Sequence, residues 1–272
     1  VEALIALVLS TILVGLVGSL FLAQNRFYAN LTARGQVQET ARTVLESVTS
    51  ELRSVPASGV LVAAPREIRV RAPLAIGLVC ASGGGEAHLY LPLDGAALTS
   101  EDVSGVASRR GDGGWQFHPV GWEDVLGSTG GSSVQECADV GSEIGGPSSD
   151  FLRLEGLGAI PPERLMPGMP LMVFGEMEFK LEVSNLHSLY MLHQSRPGGP
   201  AFLLAGSLGE DTGFHYRLRG EAGWRTEVTG ADRDRIDALR FHVSARSHPG
   251  AGRQGGDLRY DLTADLPLVN SR

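Results

Sequence analysis

The chain has 272 residues, 43% of them hydrophobic and 20% charged, with a formal net charge of -8. This length and apolar content suffice for one large domain or two small ones, and they exclude wholesale disorder. The acidic balance argues against a protein whose main task is to coat nucleic acid with a basic face, and no nucleic-acid partner is expected. Two cysteines, Cys80 and Cys137, are too few for a disulfide-dense scaffold or a four-cysteine zinc site.

The first element is the most informative. No charged residue occurs from Ala3 to Asn25, and Ala3 to Ala23 is almost wholly apolar or small. At about 1.5 Å per residue this run spans a hydrocarbon layer of roughly 30 Å. A secretory signal peptide fits poorly, because no basic segment precedes the run here and no small-x-small cleavage site follows it. A plain single-span anchor is the stronger alternative. Glu2 heads the run, and burying its carboxylate in a bilayer interior costs roughly 2.5 kcal/mol or more. It can snorkel to the interface, or it can meet a cation supplied by a neighbouring chain. Gly15 and Gly18 each weaken a helix by about 1 kcal/mol relative to alanine. Two readings stand side by side for them: close helix packing through small residues, or a place where the helix loosens.

Beyond Asn25 the composition turns polar while the helical period persists. Apolar or small residues fall at Phe27, Leu31, Val37, Ala41, Val44, Leu45, Val48, Leu52 and Val55, mostly three or four apart. That is one stripe of an amphipathic helix. Pro56 ends it, since the residue before a proline disfavours the helical region. The expectation is one continuous helix over residues 1–55, roughly 80 Å long. Residues 1–25 form its apolar half and residues 26–55 its amphipathic half, the latter packed on a globular head.

The head, residues 57–272, reads as strands. Candidates are Glu67–Arg71, Leu74–Val79, His88–Leu93, Phe151–Glu155, Leu171–Val183, Leu189–His193, Ala201–Leu204, Phe214–Leu218, Ile236–Ser244 and Leu258–Thr263. FHYRL, LRFHV and LRYDL alternate as half-buried antiparallel strands do, and Gly/Pro/Asp clusters separate them. The expected fold class is therefore α+β: a long N-terminal helix against an antiparallel β-rich head. Residues 94–150, rich in Gly, Ser, Asp and Glu, read as a surface insertion with little regular structure, pinned by Trp115, Phe117 and Trp122.

The stretch VEALIALVLSTILVGLVGSLFLAQNRFYANLTARGQVQETARTVLESVTSELRSV resembles the N-terminal helix of type IV pilins and pseudopilins. In that family a prepilin peptidase removes a short basic leader and the new N-terminus is usually methylated. The family glutamate, fifth after the cut, matches Glu2. On that match about three mature residues and the leader precede Val1. Gln36 to Val55 is similar to PilW-like minor pilins and J-type pseudopilins of type II secretion, and Asp234 to Arg272 is loosely similar to their C-terminal ends. Many major pilins place a proline in the apolar helix; this chain has none before Pro56, and Gly15 and Gly18 fit the same softening purpose.

The resemblance implies a structural subunit of a type IV pilus or pilus-like filament, foremost a minor pilin acting in assembly or at the tip. A type II secretion pseudopilin, a major filament subunit and a membrane-anchored adhesive module are the alternatives. It implies other pilin or pseudopilin subunits, the prepilin peptidase and the inner membrane as partners. The head would face the periplasm before assembly, and the cell surface or filament afterwards. Glu2 would set assembly register against a neighbour's terminal amine. In such an exported head Cys80 and Cys137 are expected to form a disulfide, with two free thiols as the alternative.

No catalytic constellation stands out: there is no GxSxG, HExxH, Walker-type loop or CxxC. No enzyme activity, cofactor or metal is expected. The one carboxylate cluster, Asp232, Asp234 and Asp237, is interleaved with Arg233 and Arg235 and reads as a solvated turn rather than a calcium loop.

Overall fold

A computed structural model of the chain describes residues 2–83, 86–91, 103–111, 113–120, 125–127, 151–154, 157–184, 189–196, 199–247 and 258–269. The long helix α1 runs unbroken over Glu2–Leu52. The chain leaves it through Val55 and Pro56, as the proline requires.

The buried stripe of α1 is Ala33, Val37, Ala41, Val44, Val48, Thr49 and Leu52. Phe27 and Leu31, which the periodicity includes, are instead 60% and 46% exposed. The period continues through them, but the head does not reach that far. Ala33 is the first residue it covers. Below it the stripe joins Ile68, Val70, Phe179, Phe214, Tyr216, Phe241 and Val243 in the main core.

Among the described residues, thirteen strands form a single antiparallel sheet. They are β1 (Val60–Ala64), β2 (Glu67–Gly83), β3 (Glu86–Tyr90), β4 (Gly105–Arg109), β5 (Trp115–Pro119), β6 (Val125–Gly127), β7 (Phe151–Leu154), β8 (Pro170–Val183), β9 (Tyr190–Ser195), β10 (Phe202–Leu208), β11 (Gly213–Leu218), β12 (Ile236–Arg246) and β13 (Arg259–Pro267). The main path reads β11-β12-β10-β9-β8-β2-β3-β7-β6. Branches come where long strands outrun their neighbours: β1 lies on β2, β13 on β12, and the β4–β5 hairpin on β8.

The two separate strands expected over Glu67–Arg71 and Leu74–Val79 are one strand, β2. Pro73 and Leu74 sit where its register against β8 shifts, between the pairs Pro73↔Phe174 and Ala75↔Val173. The extra residue flips the parity of β2, as a bulge does. Ile68, Val70 and Ala72 face the main core, and after the bulge Val79 faces a second core with Leu89, Val106, Leu154, Leu171 and Val173. One face of the β2–β8 ribbon thus serves both cores. On its other face Phe174 and Met172 pack with Ala107, Trp115 and Phe117.

Residues 94–150 are not uniformly the irregular insertion expected. Val103, Val106, Ala107, Ser108, His118 and Val120 are buried, and β4 pairs with β8 from Gly105↔Phe174 to Ser108↔Leu171. Gly and Ser content hid the strand signal, and Gly105 occupies a position with no room for more. A Cβ at position 105 would lie 2.8 Å from the Phe174 ring. Phe117 meets Phe174 edge-on at 5.0 Å, so it does fasten the hairpin. Trp122 lies outside the described residues.

The two ends of the head meet. Val269 accepts from the Ala57 amide (3.0 Å) and donates to the Val55 carbonyl (3.2 Å), forming a parallel bridge at Pro56 where the helix ends.

Candidate assembly and membrane interface

The described side chains from Glu2 through Thr32 are all exposed. Leu4, Leu7, Leu13, Val14, Leu16, Phe21 and Leu22 are each more than 60% exposed, so a bare rod about 46 Å long, oily from Ala3 to Ala23, projects from the head. This rod is long and apolar enough to cross a membrane. Its serines and threonine do not contradict that use. Ser10, Thr11 and Ser19 donate their hydroxyls to the carbonyls of Leu7, Val8 and Leu16, so none asks a lipid for a hydrogen bond.

Glu2 sits in the first turn, at the end farthest from the head. Gly15 and Gly18 lie in the middle of the rod. The helix passes both without a break, and open space surrounds each. The rod, Glu2 and the two glycines thus form one continuous surface with no partner among the described residues.

Cys80 lies near the end of β2, buried and disulfide-bonded. The sequence holds one other cysteine, Cys137, which is outside the described residues.

The acidic turn is neutralised from within. Gly230–Arg235 forms a short 3-10 helix, where Asp232 pairs with Arg235 at 2.9 Å and lies 3.8 Å from Arg225. Asp237 accepts from Arg217 at 2.9 Å. Trp224 lies under two guanidinium groups, those of Arg240 (4.2 Å) and Arg217 (5.6 Å). Arg240 in turn pairs bidentately with Asp265 across β12–β13, at 2.6 and 2.8 Å. The hydrogen bond from Arg240 holds the Asp265 carboxyl below its ordinary range. These contacts make a polar outer face for the last strands. Among the described residues no group of three or more His, Cys, Asp or Glu is placed to hold a metal.

One arrangement escaped the sequence. Ser108 Oγ and His118 Nε2 lie 3.1 Å apart, diagonal neighbours across the β4–β5 hairpin. Both side chains are buried, and Arg164 donates to Ser108 Oγ from above. The spacing matches a nucleophile and base, but the hydroxyl is sealed from solvent and its oxygen accepts from Arg164. The arrangement fastens residues 162–164 to the hairpin. Nothing in a ten-residue separation with no motif signals it.

The chain matches no protein family, no curated protein and no solved structure.

Proposed function

We propose that this chain is a structural subunit of a type IV pilus or pilus-like filament, and within that class a minor pilin acting in assembly or at the tip. The observation that carries the reading is the division of labour along α1. A single helix buries Ala33 to Leu52 on a β-rich head and leaves Glu2 to Thr32 bare. A plain anchor needs no rigid connection between span and head. A subunit that must place its head in a defined position relative to a packed rod does. The rod waits in a membrane and then exchanges lipid for the rods of sister subunits. Burial against them replaces burial in lipid, and side-chain packing fixes the arrangement. The head-to-tail contacts of such rods do not close, so the product is a filament.

In this reading Glu2 is the registry residue. A carboxylate desolvated among apolar rods seeks a cation, and a neighbour's terminal amine supplies one at a single axial offset. Such a pair contributes specificity more than stability. The test is to express the full chain in its native cell, shear the surface, and follow the chain in the released filaments. Wild type is expected there at trace level. Glu2→Ala is expected in the membrane at normal abundance and at least tenfold depleted in the filaments. Recovery of the wild-type chain only as a lone membrane monomer would overturn the reading.

A further inference from the structure

The seam between α1 and the ends of β10 and β12 holds a cation, Arg246, that no carboxylate among the described residues meets. Arg246, the last residue of β12, lines a pocket of about 280 Å³ together with Ala33, Gln36, Thr40, Ser207 and Ser247. An adjoining chamber of about 390 Å³ extends along α1 to Glu39, Val44 and Leu204. The Arg246 Nε atom is buried and has no hydrogen-bond partner, and no ion pair reaches this guanidinium among the described residues. Every other half-buried or exposed arginine of the last strands described above has a carboxylate. A buried donor without a partner is costly, and a guanidinium more so.

The surrounding chain makes room for this group. A Cβ at Gly209 would lie 2.7 Å from Arg246 Nε, so only glycine lets the side chain lie there. Ser207 has φ +59, the one positive value at a non-glycine among the described residues, and β10 breaks register twice on the way to it. These irregularities fall where Leu204 to Ser207 wall the pocket and its adjoining chamber. Strain kept at a pocket points to a role for that pocket.

We propose that this pocket receives a carboxylate side chain from a neighbouring subunit, held by Arg246 with Ser207, Ser247 and Thr40 as further hydrogen-bonding groups. This rests on the reading of the chain as a filament subunit. Three observations favour a protein carboxylate. The chain carries 31 acidic against 23 basic residues, so copies and similar subunits offer carboxylates in excess. Glu39 borders the adjoining chamber and repels a polyanion, whereas a single carboxylate stays clear of it. A bilayer phosphate is out of reach by length. If hydrocarbon ends at Asn25, the headgroup layer extends roughly 5–8 Å further. Ala33, the pocket residue nearest the rod, is about 12 Å on.

The experiment uses the full chain in cells that assemble filaments. Arg246→Met keeps the aliphatic stem and removes the charge, and Arg246→Lys keeps the charge. A photo-reactive benzoylphenylalanine at the exposed Gln36, on the pocket rim, reports what enters. Arg246→Met is expected to reach the membrane normally, to keep the wild-type melting temperature in detergent, and to fall about tenfold or more in sheared filaments. Arg246→Lys should recover at least half of the wild-type level. The Gln36 probe should attach to a peptide of a second subunit bearing Asp or Glu. Wild-type incorporation of Arg246→Met, or crosslinks only to lipid or within the same chain, would overturn the pocket and leave the role of the rod standing. Failure of the unmodified chain to enter any filament would overturn both.

Discussion

The Tyr216 hydroxyl donates a 2.9 Å hydrogen bond to the Ala64 carbonyl, so β11 is tied to the turn between β1 and β2. The Phe214 amide reaches the Pro65 carbonyl in the same turn, at 2.9 Å. Tyr216 is fully buried, and that burial pushes its phenol well above the ordinary range. Tyr216→Phe leaves the packing intact and the carbonyl short of a partner. The expected loss is about 1–2 kcal/mol, read as a lower denaturation midpoint of the full chain in detergent. An unchanged midpoint would show the bond to be immaterial.

Helix α1 should respond in opposite ways at its two halves. Leu52 is 1% exposed and fills the main core, so Leu52→Ala should cost about 2–5 kcal/mol of head stability. Phe27 is 60% exposed and meets the Tyr28 ring on its own helix, so Phe27→Ala should leave head stability within about 0.5 kcal/mol. Thermal melts of both variants side by side decide this. Equal destabilisation would mean that the head reaches further up the rod.

The β4–β5 hairpin carries a pH signature. Burial first, and the Arg164 charge second, hold the His118 imidazole below its ordinary value. Above about pH 6.5 the ring is neutral in the folded and unfolded chains alike, and its contribution to stability is fully present. As pH falls below that value the unfolded chain takes the proton first, and stability declines until the folded ring titrates too. His118→Asn should therefore lose less stability than wild type between about pH 7 and about pH 5. His215, shifted downward by burial and then by His242 and Arg240, stays in both proteins, so only the difference between them is informative. Parallel pH profiles would count against the assignment.

Cys80 is bonded through its sulfur, and Cys137 is the one partner the sequence supplies. Alkylation without reductant should add no mass to the native chain, and after reduction it should add two adducts. Opening a loop of roughly 58 residues should cost about 4 kcal/mol in the chain-entropy picture. Two adducts without reductant would contradict the bond.

Much of this architecture could be read from the residues. The helix was legible because its two signals are long: an uncharged run to Asn25, then a stripe at three and four spacing to Leu52. Alternating segments such as FHYRL and LRFHV announced β11 and β12. Other features leave no mark in a linear pattern. β1 is a short apolar run, VLVAA, without alternation. Strand β4 (GVASR) carries Gly, Ala and Ser, with Phe174 crowding Gly105, and that composition mimics a loop. The bulge at Leu74 depends on what β8 places opposite. Arg246 reads as a routine surface arginine until its pocket shows that no carboxylate among the described residues answers its charge. The upper limit of the helix stripe is set by where the head stops, which periodicity cannot report.

The bridge between Val269 and the end of α1 bears on how the protein takes mechanical load. A pull along the rod arrives at Pro56, where the last described residues run alongside the first of the head. Two parallel segments loaded in this way must slide past each other, rupturing their two hydrogen bonds together rather than peeling them one at a time. We expect truncation before Leu268 to lower the unfolding force in single-molecule traction from the rod, by more than it lowers the melting temperature. Equal proportional losses would make the bridge a folding contact and nothing more.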